Sequence, residues 1–127
     1  MRVEVQPRIA PLRRVLVVDD DARSRSAVAR LLEEEGYAAA VASDGEEAAS
    51  MLTALRPDLV LTDLTMPRLD GLGLLAHVRR MLPDTPVIIL SARAGPDVVA
   101  GAEAQGFLSK PVHVEELLAR IRALIGP

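Results

Sequence analysis

Short hydrophobic runs recur along the chain, separated by stretches with helical periodicity. The runs are continuous rather than alternating, which is typical of strands buried on both faces of a parallel sheet. They predict five strands, at residues 14–18, 38–42, 59–62, 87–90 and 107–109.

The segments after these strands carry apolar residues at the three- and four-residue spacing of one helix face. They predict helices at residues 23–35, 46–55, 72–81, 97–104 and 113–125. The fourth is the weakest, because it contains Gly101 and lies between Gly95 and Gly106. Five successive strand–helix units indicate an α/β fold with a parallel sheet covered by helices on both faces.

Length and composition exclude several classes of protein function. The 127 residues suit one domain, with residues 1–13 as an N-terminal arm and residues 14–127 as the folded unit. The absence of cysteine excludes disulfides, thiolate metal sites and thiol catalysis. A net charge of −3, one Tyr and one Phe argue against direct nucleic-acid binding. No apolar run approaches the ~20 residues of a membrane span, so we expect a soluble cytoplasmic protein.

Polar side chains follow four of the five predicted strands. Asp19 and Asp20 come after the first strand and Asp63 after the third, while Ser91 and Lys110 close the fourth and fifth. In open parallel sheets ligands bind at the carboxyl ends of the strands, so these side chains should meet at one edge. Three neighbouring carboxylates need a cation among them, and oxygen ligands suit Mg²⁺ (or Mn²⁺). With a lysine and a hydroxyl, such a site could stabilise a phosphoryl group attacked by a carboxylate.

Lys110 is the only lysine among 15 basic residues, the rest being arginine. A compact ammonium can enter a small site and contact one oxygen, which a guanidinium fork does less easily. The exception therefore indicates a specific role for Lys110. Pro111 follows it, and an X–Pro bond at a strand end can be cis.

Four runs in the chain resemble the response-regulator receiver family. They are VLVVDDD at 15–21, DLVLTDLTMPRLDG at 58–71, ILSAR at 89–93 and GFLSKP at 106–111. The resemblance extends from residue 14 to residue 125. It implies the (βα)5 flavodoxin-like, doubly wound fold with strand order 2-1-3-4-5. It also implies two-component signalling, in which a sensor histidine kinase or a histidine phosphotransfer protein phosphorylates Asp63. A downstream output domain or target protein would respond to this phosphorylation. The resemblance is also compatible with a homodimer.

The resemblance further implies how the matched residues bind the metal ion. Asp20 and Asp63 would bind Mg²⁺ by their side chains, Thr65 would bind it by its backbone carbonyl, and Asp19 would act through water.

The same resemblance implies roles in holding the phosphoryl group and in switching. Ser91 would donate a hydrogen bond to the phosphoryl group, and Lys110 would pair with it. Phe107 occupies the position of an aromatic switch that rotates inward after phosphorylation, when Ser91 moves toward the phosphoryl group. Arg93, at a position that varies in the family, is predicted to shield the phosphoryl group and slow its hydrolysis.

Two other functions share part of this pattern. Phosphatases of the haloacid-dehalogenase type also combine an Asp nucleophile, a Ser or Thr and a Lys, but need a second Asp two residues after the nucleophile. Thr65 stands there instead. The other is a receiver-like interaction module that is never phosphorylated. Such a module would not need the three aspartates together with Ser91 and Lys110, so the presence of all five residues argues against it. The sequence therefore predicts a phosphoacceptor signalling domain, not an enzyme, that assists only its own phosphorylation and dephosphorylation.

Overall fold

A computed structural model of the chain describes residues 12–92 and 104–127. One five-stranded parallel sheet has the order β2-β1-β3-β4-β5, which confirms the predicted flavodoxin-like fold. Its strands are β1 (Arg14–Val18), β2 (Ala38–Ala42), β3 (Leu59–Asp63), β4 (Val87–Ser91) and β5 (Gly106–Ser109). Within the described ranges, no helix has both the length and the hydrophobicity to cross a membrane.

Four helices connect and follow these strands within the described residues. They are α1 (Ala22–Glu34), α2 (Gly45–Leu55), α3 (Gly71–Met81) and α4 (Val114–Ile125). Each end lies within one residue of its prediction. The helix predicted at 97–104 lies outside the described residues except for Ala104, which is not helical. Most of the predicted N-terminal arm, residues 1–11, and Arg93 also lie outside them.

Two strands are longer at their carboxyl ends than predicted. Strand β3 continues to Asp63, which pairs with Leu90, and β4 continues to Ser91, which pairs with Ser109. The predictions ended one residue early because hydrophobicity stops there while backbone pairing does not. Both polar residues are therefore held by the sheet itself rather than by a loop.

Alternate residues of each inner strand serve two separate cores. On β1, Leu16 and Val18 pack with helices α2 and α3, whereas Val15 and Val17 pack with α1 and α4. All four of these side chains are buried. Burial on both faces explains why the strands read as unbroken hydrophobic runs.

Aspartates cap the first three helices. Asp21, Asp44 and Asp70 each accept a hydrogen bond from the backbone N–H three residues later, at 3.1, 2.8 and 2.8 Å. A side-chain cap of this kind stabilises a helix by about 1 kcal/mol. Each cap follows a strand, or the loop after it, so the starts of these helices surround the carboxyl edge of the sheet.

Gly71, the first residue of α3, lies directly against the end of β3. A Cβ atom here would overlap the Asp63 carbonyl oxygen and lie 2.9 Å from Leu64 Cα. The Gly71 N–H donates a hydrogen bond to the Leu64 carbonyl at 2.7 Å. Glycine therefore lets the helix begin close to the backbone of Asp63.

We expect Gly71→Ala to lower the free energy of unfolding by about 2 kcal/mol or more, because the added methyl group meets backbone that cannot move freely. Gly73→Ala is the matched control in the same helix. Its Cβ would meet the end of the Leu69 side chain at 2.5 Å, which can rotate away, and alanine favours helix by about 1 kcal/mol. Urea denaturation measures both variants; equal stability of the two would contradict this explanation.

Candidate functional site

The carboxyl edge of the sheet contains a pocket of about 360 Å³. It brings together six residues that the sequence marked as metal-binding or phosphoryl-binding: Asp19, Asp20, Asp63, Thr65, Ser91 and Lys110. Strands β1, β3, β4 and β5 supply them at or just after their last residues. The topology therefore places on one surface residues that are far apart in sequence.

Four aspartates line this pocket; three of them form a close cluster, and the fourth, Asp21, caps α1. One oxygen each from Asp19, Asp20 and Asp63 lies within 4.8 Å of the others. Asp19 and Asp63 are buried, and Asp20 is exposed. A cluster of carboxylate oxygens with one member open to solvent fits a hard divalent cation such as Mg²⁺.

One oxygen of this cluster, Asp63 Oδ1, lies fully buried beside a lysine. It is buried and, within the described part of the chain, accepts no hydrogen bond of good geometry. Its close partner is the Lys110 ammonium, whose Nζ lies 2.9 Å away as an ion pair. A buried carboxylate oxygen with incomplete hydrogen bonding is suited to a further electrophilic partner, either a cation or a phosphorus atom.

Burial raises the pKa of Asp63 to about 7, and the neighbouring Asp19 carboxyl contributes to the rise while Lys110 opposes it. For Lys110, burial acts to lower the pKa, but the Asp63 carboxylate and the charges of Asp19 and Asp20 outweigh burial and raise it. The lysine therefore stays cationic at neutral pH. The aspartate lies close to its titration midpoint in the absence of a cation.

Hydrogen bonds from the backbone and from side chains hold the loop that carries Asp19 and Asp20. The Asp19 N–H donates to the Ala42 carbonyl at 3.2 Å, and Asp19 Oδ1 accepts from the Asp21 N–H at 2.9 Å. The guanidinium of Arg25 donates to the Asp19 carbonyl at 2.8 Å. Sequence reasoning missed Arg25, although its place four residues after the Asp21 cap puts it one turn into α1, near this loop.

The lysine side of the pocket is fixed by the sheet. The Lys110 N–H donates to the Ser91 carbonyl at 2.8 Å, which extends the pairing of β4 and β5 by one residue. The Lys110–Pro111 peptide bond is cis. Ser91 is buried, with an exposed fraction of 5%. Ser91 and Lys110 thus line the pocket from the ends of two adjacent strands.

Phe107 does not line the pocket. It lies on β5, pairs with Ile89 and is half-buried against the core beneath α2 and α3. Its assignment as an aromatic switch stays a prediction, as does the shielding role of Arg93, which lies outside the described residues.

The family model of the response regulator receiver domain matches residues 15–122. The chain belongs to this family. The response regulators MprA of Mycolicibacterium vanbaalenii and of Mycobacterium avium are each 45% identical to it over 115 residues. These alignments cover 88% of this chain and 50% of each relative. The receiver domain thus spans about half the length of the curated relatives it matches.

Solved structures of receiver domains share the fold. The receiver domain of the Francisella response regulator 1452 is 34% identical, with a TM-score of 0.83, and the match covers 89% of this chain and 96% of that one. The response regulator protein TrrA of Thermotoga maritima, solved in complex with Mg²⁺-BeF, is 31% identical with a TM-score of 0.82. That match covers 89% of this receiver domain and 99% of TrrA.

In metal-free buffer, Asp63 should make this receiver domain less stable as the pH rises. Folding raises the pKa of Asp63 from 3.8 to about 7. The protonated carboxyl therefore contributes its full share to the free energy of unfolding below about pH 4, and this contribution is lost as the pH rises through about 7. The free energy of unfolding of wild type relative to Asp63→Asn should fall across this window by at most about 1.4 kcal/mol per pH unit.

Urea denaturation over a pH series, with a chelator present, measures this difference. Asp84→Asn, which alters an exposed aspartate in the turn after α3, is the control and should show no comparable fall relative to wild type. If the difference between wild type and Asp63→Asn is level from about pH 5 to pH 7, the raised pKa of Asp63 is wrong.

Proposed function

We propose that this receiver domain is the phosphoacceptor of a two-component system and that Asp63 receives the phosphoryl group. The burial of Asp63 Oδ1 beside the Lys110 ammonium, at the end of a central strand, supports this most directly. The donor would be a sensor histidine kinase or a histidine phosphotransfer protein in the cytoplasm. A downstream output domain or target protein would read the phosphorylated state.

The residues at the pocket fit Mg²⁺ or Mn²⁺, and the Mg²⁺-BeF complex of TrrA is consistent with such an ion. Asp20 and Asp63 would hold it by their side chains, Thr65 would bind it by its backbone carbonyl and Asp19 would act through water. When bound, the ion supplies positive charge to the acidic cluster and to the phosphoryl oxygens.

The chemistry of transfer then follows from the side chains. An ionised Asp63 oxygen attacks the phosphorus of a phosphohistidine; the new O–P bond forms as the N–P bond breaks, and the imidazole leaves with the electron pair. Lys110 exchanges its contact with Asp63 for one with a phosphoryl oxygen, and the Ser91 hydroxyl donates to another. The Lys110 ammonium already lies beside Asp63 before the reaction, so this donor needs little reorganisation.

Phosphorylation changes the charge of the buried edge. By analogy with other phosphorylated side chains, the product adds roughly −1.5 to −2 charge. This charge would draw Ser91 and its loop toward Asp63 and leave space for Phe107, on the neighbouring strand, to rotate inward. The two states would then differ on the surface around β4 and β5, which is what a partner could recognise.

We propose that the domain assists its own phosphorylation and dephosphorylation and is not a turnover enzyme. Thr65, two residues after Asp63, is exposed and has no carboxyl group to act as a general acid. A phosphatase of the haloacid-dehalogenase type requires an acid at that place. This supports the signalling role over the enzymatic one.

Asp63→Asn should abolish phosphorylation because the amide cannot form the acyl phosphate. Wild type, Asp63→Asn and Asp84→Asn are incubated with acetyl phosphate and Mg²⁺, and the phosphoryl adduct is measured by intact-mass spectrometry. Wild type and Asp84→Asn should be labelled to the same extent. Labelling of Asp63→Asn at the wild-type level would disprove the assignment of the acceptor.

Asp20→Asn should weaken Mg²⁺ binding by about tenfold or more, because it removes one anionic ligand from a site built on three. Asp20 is exposed, so the fold should be unaffected. Calorimetric titration with Mg²⁺ gives the dissociation constant, with Asp84→Asn as the matched loss of one negative charge. Equal affinities of Asp20→Asn and Asp84→Asn would remove Asp20 from the metal site.

A further inference from the structure

A buried aspartate near the same edge of the sheet forms an ion pair that the phosphoacceptor chemistry does not use. The side chain of Asp44, which caps α2, is only 7% exposed. Arg68 donates to its Oδ2 from Nε at 3.1 Å and also from Nη2. The Glu47 N–H and the Arg68 guanidinium both hold the pKa of Asp44 below its usual value, so the carboxylate stays charged.

The backbone of Arg68 adopts a conformation that arginine disfavours. Its φ is +69°, in the left-handed region that glycine enters freely. The side chain of an L-residue is crowded in this region. An arginine at this position is best explained by its side chain, whose contact with Asp44 offsets the strain.

The loop that contains Arg68 also forms one wall of the phosphoacceptor pocket. It runs from residue 64 to residue 70, directly after Asp63, and includes Thr65, which lines the pocket. At its start, the Leu64 N–H donates to the Leu90 carbonyl at 2.8 Å. Near its end, the Leu69 backbone packs so closely on Gly45 that no Cβ could fit there. Between these two contacts, the Arg68–Asp44 pair ties the loop to the start of α2.

We propose that Arg68 and Asp44 form a clamp that positions the loop, and Thr65 within it, for binding the divalent cation at Asp63. Both are positioning residues, since neither lines the pocket. This role rests on the function proposed above for Asp63. Through Asp44, the loop after β2 would help to position the metal site, although no residue of strand β2 lines the pocket.

Two substitutions break the Arg68–Asp44 ion pair without altering any residue that would bind the metal ion. Arg68→Gly removes the guanidinium and also relieves the backbone strain, so its melting temperature should stay within about 5 °C of wild type. Asp44→Asn removes the charge but keeps a good helix cap, because asparagine caps as well as aspartate. Both should raise the dissociation constant for Mg²⁺ about three- to tenfold, measured by calorimetric titration.

The rate of phosphorylation by acetyl phosphate distinguishes a loss of Mg²⁺ affinity from a general disruption of the fold. At saturating Mg²⁺ both variants should be labelled within about twofold of the wild-type rate, whereas the Mg²⁺ concentration that gives half that rate should rise with the dissociation constant. The double variant should bind Mg²⁺ no more than about twofold more weakly than either single variant, because the two residues act as one unit.

A second ion pair provides the control. Arg122 and Glu35 lie 2.9 Å apart, with Glu35 at the end of α1 remote from the pocket. Arg122→Ala and Glu35→Gln should leave the Mg²⁺ dissociation constant unchanged.

The outcomes distinguish a failure of the Arg68–Asp44 clamp from a failure of the phosphoacceptor function proposed for Asp63. If wild type binds no Mg²⁺, or if Asp63→Asn is labelled, the proposed phosphoacceptor site fails. If wild type binds Mg²⁺ and Arg68→Gly binds it equally well, the clamp is wrong while the phosphoacceptor role stands. Additive losses in the double variant would also overturn the clamp. Should Asp44→Asn fail to fold, Arg68→Gly alone decides the outcome.

Discussion

The burial of one carboxylate, that of Asp63, is the constraint on which the rest of this structure depends. The sheet places it at the end of a central strand, where burial and the Asp19 carboxyl oppose its ionised form. Among the residues that the structure describes, the Lys110 ammonium offsets part of that cost, with its Nζ 2.9 Å from Asp63 Oδ1. A carboxylate in this state gains more from a new electrophilic partner than an exposed one would, because its charge is poorly solvated.

The fold holds this arrangement through backbone contacts of the sheet, which the two hydrophobic cores support. Asp63 and Ser91 are paired members of the sheet, and the Lys110 N–H continues the same hydrogen-bond ladder. Gly71 allows α3 to begin against the Asp63 carbonyl. Like charges that repel one another are kept together because the strands that carry them are fixed by two cores on opposite faces.

Sequence patterns predicted the described strands and helices to within one residue at each end. The strands were predictable because burial on both faces makes each inner strand a continuous hydrophobic run. In the structure, Asp21, Asp44 and Asp70 mark three of the helix starts by a local hydrogen bond. Strands β3 and β4 were predicted one residue too short at their carboxyl ends. Asp63 and Ser91 are polar, and only their pairing partners show that they belong to the sheet.

The sequence by itself determined which chemical groups would meet, because residues that follow parallel strands must share one edge of the sheet. The resemblance of four sequence runs to the receiver family predicted the strand order and the roles of these residues, and the structure confirms the strand order. The tertiary structure alone decided what positions those groups. The contact of Arg68 with Asp44, across 24 residues, and that of Arg25 with the Asp19 carbonyl have no period or motif to mark them. Such contacts depend on how loops from different strands approach one another, and that distance is set only when the chain is folded.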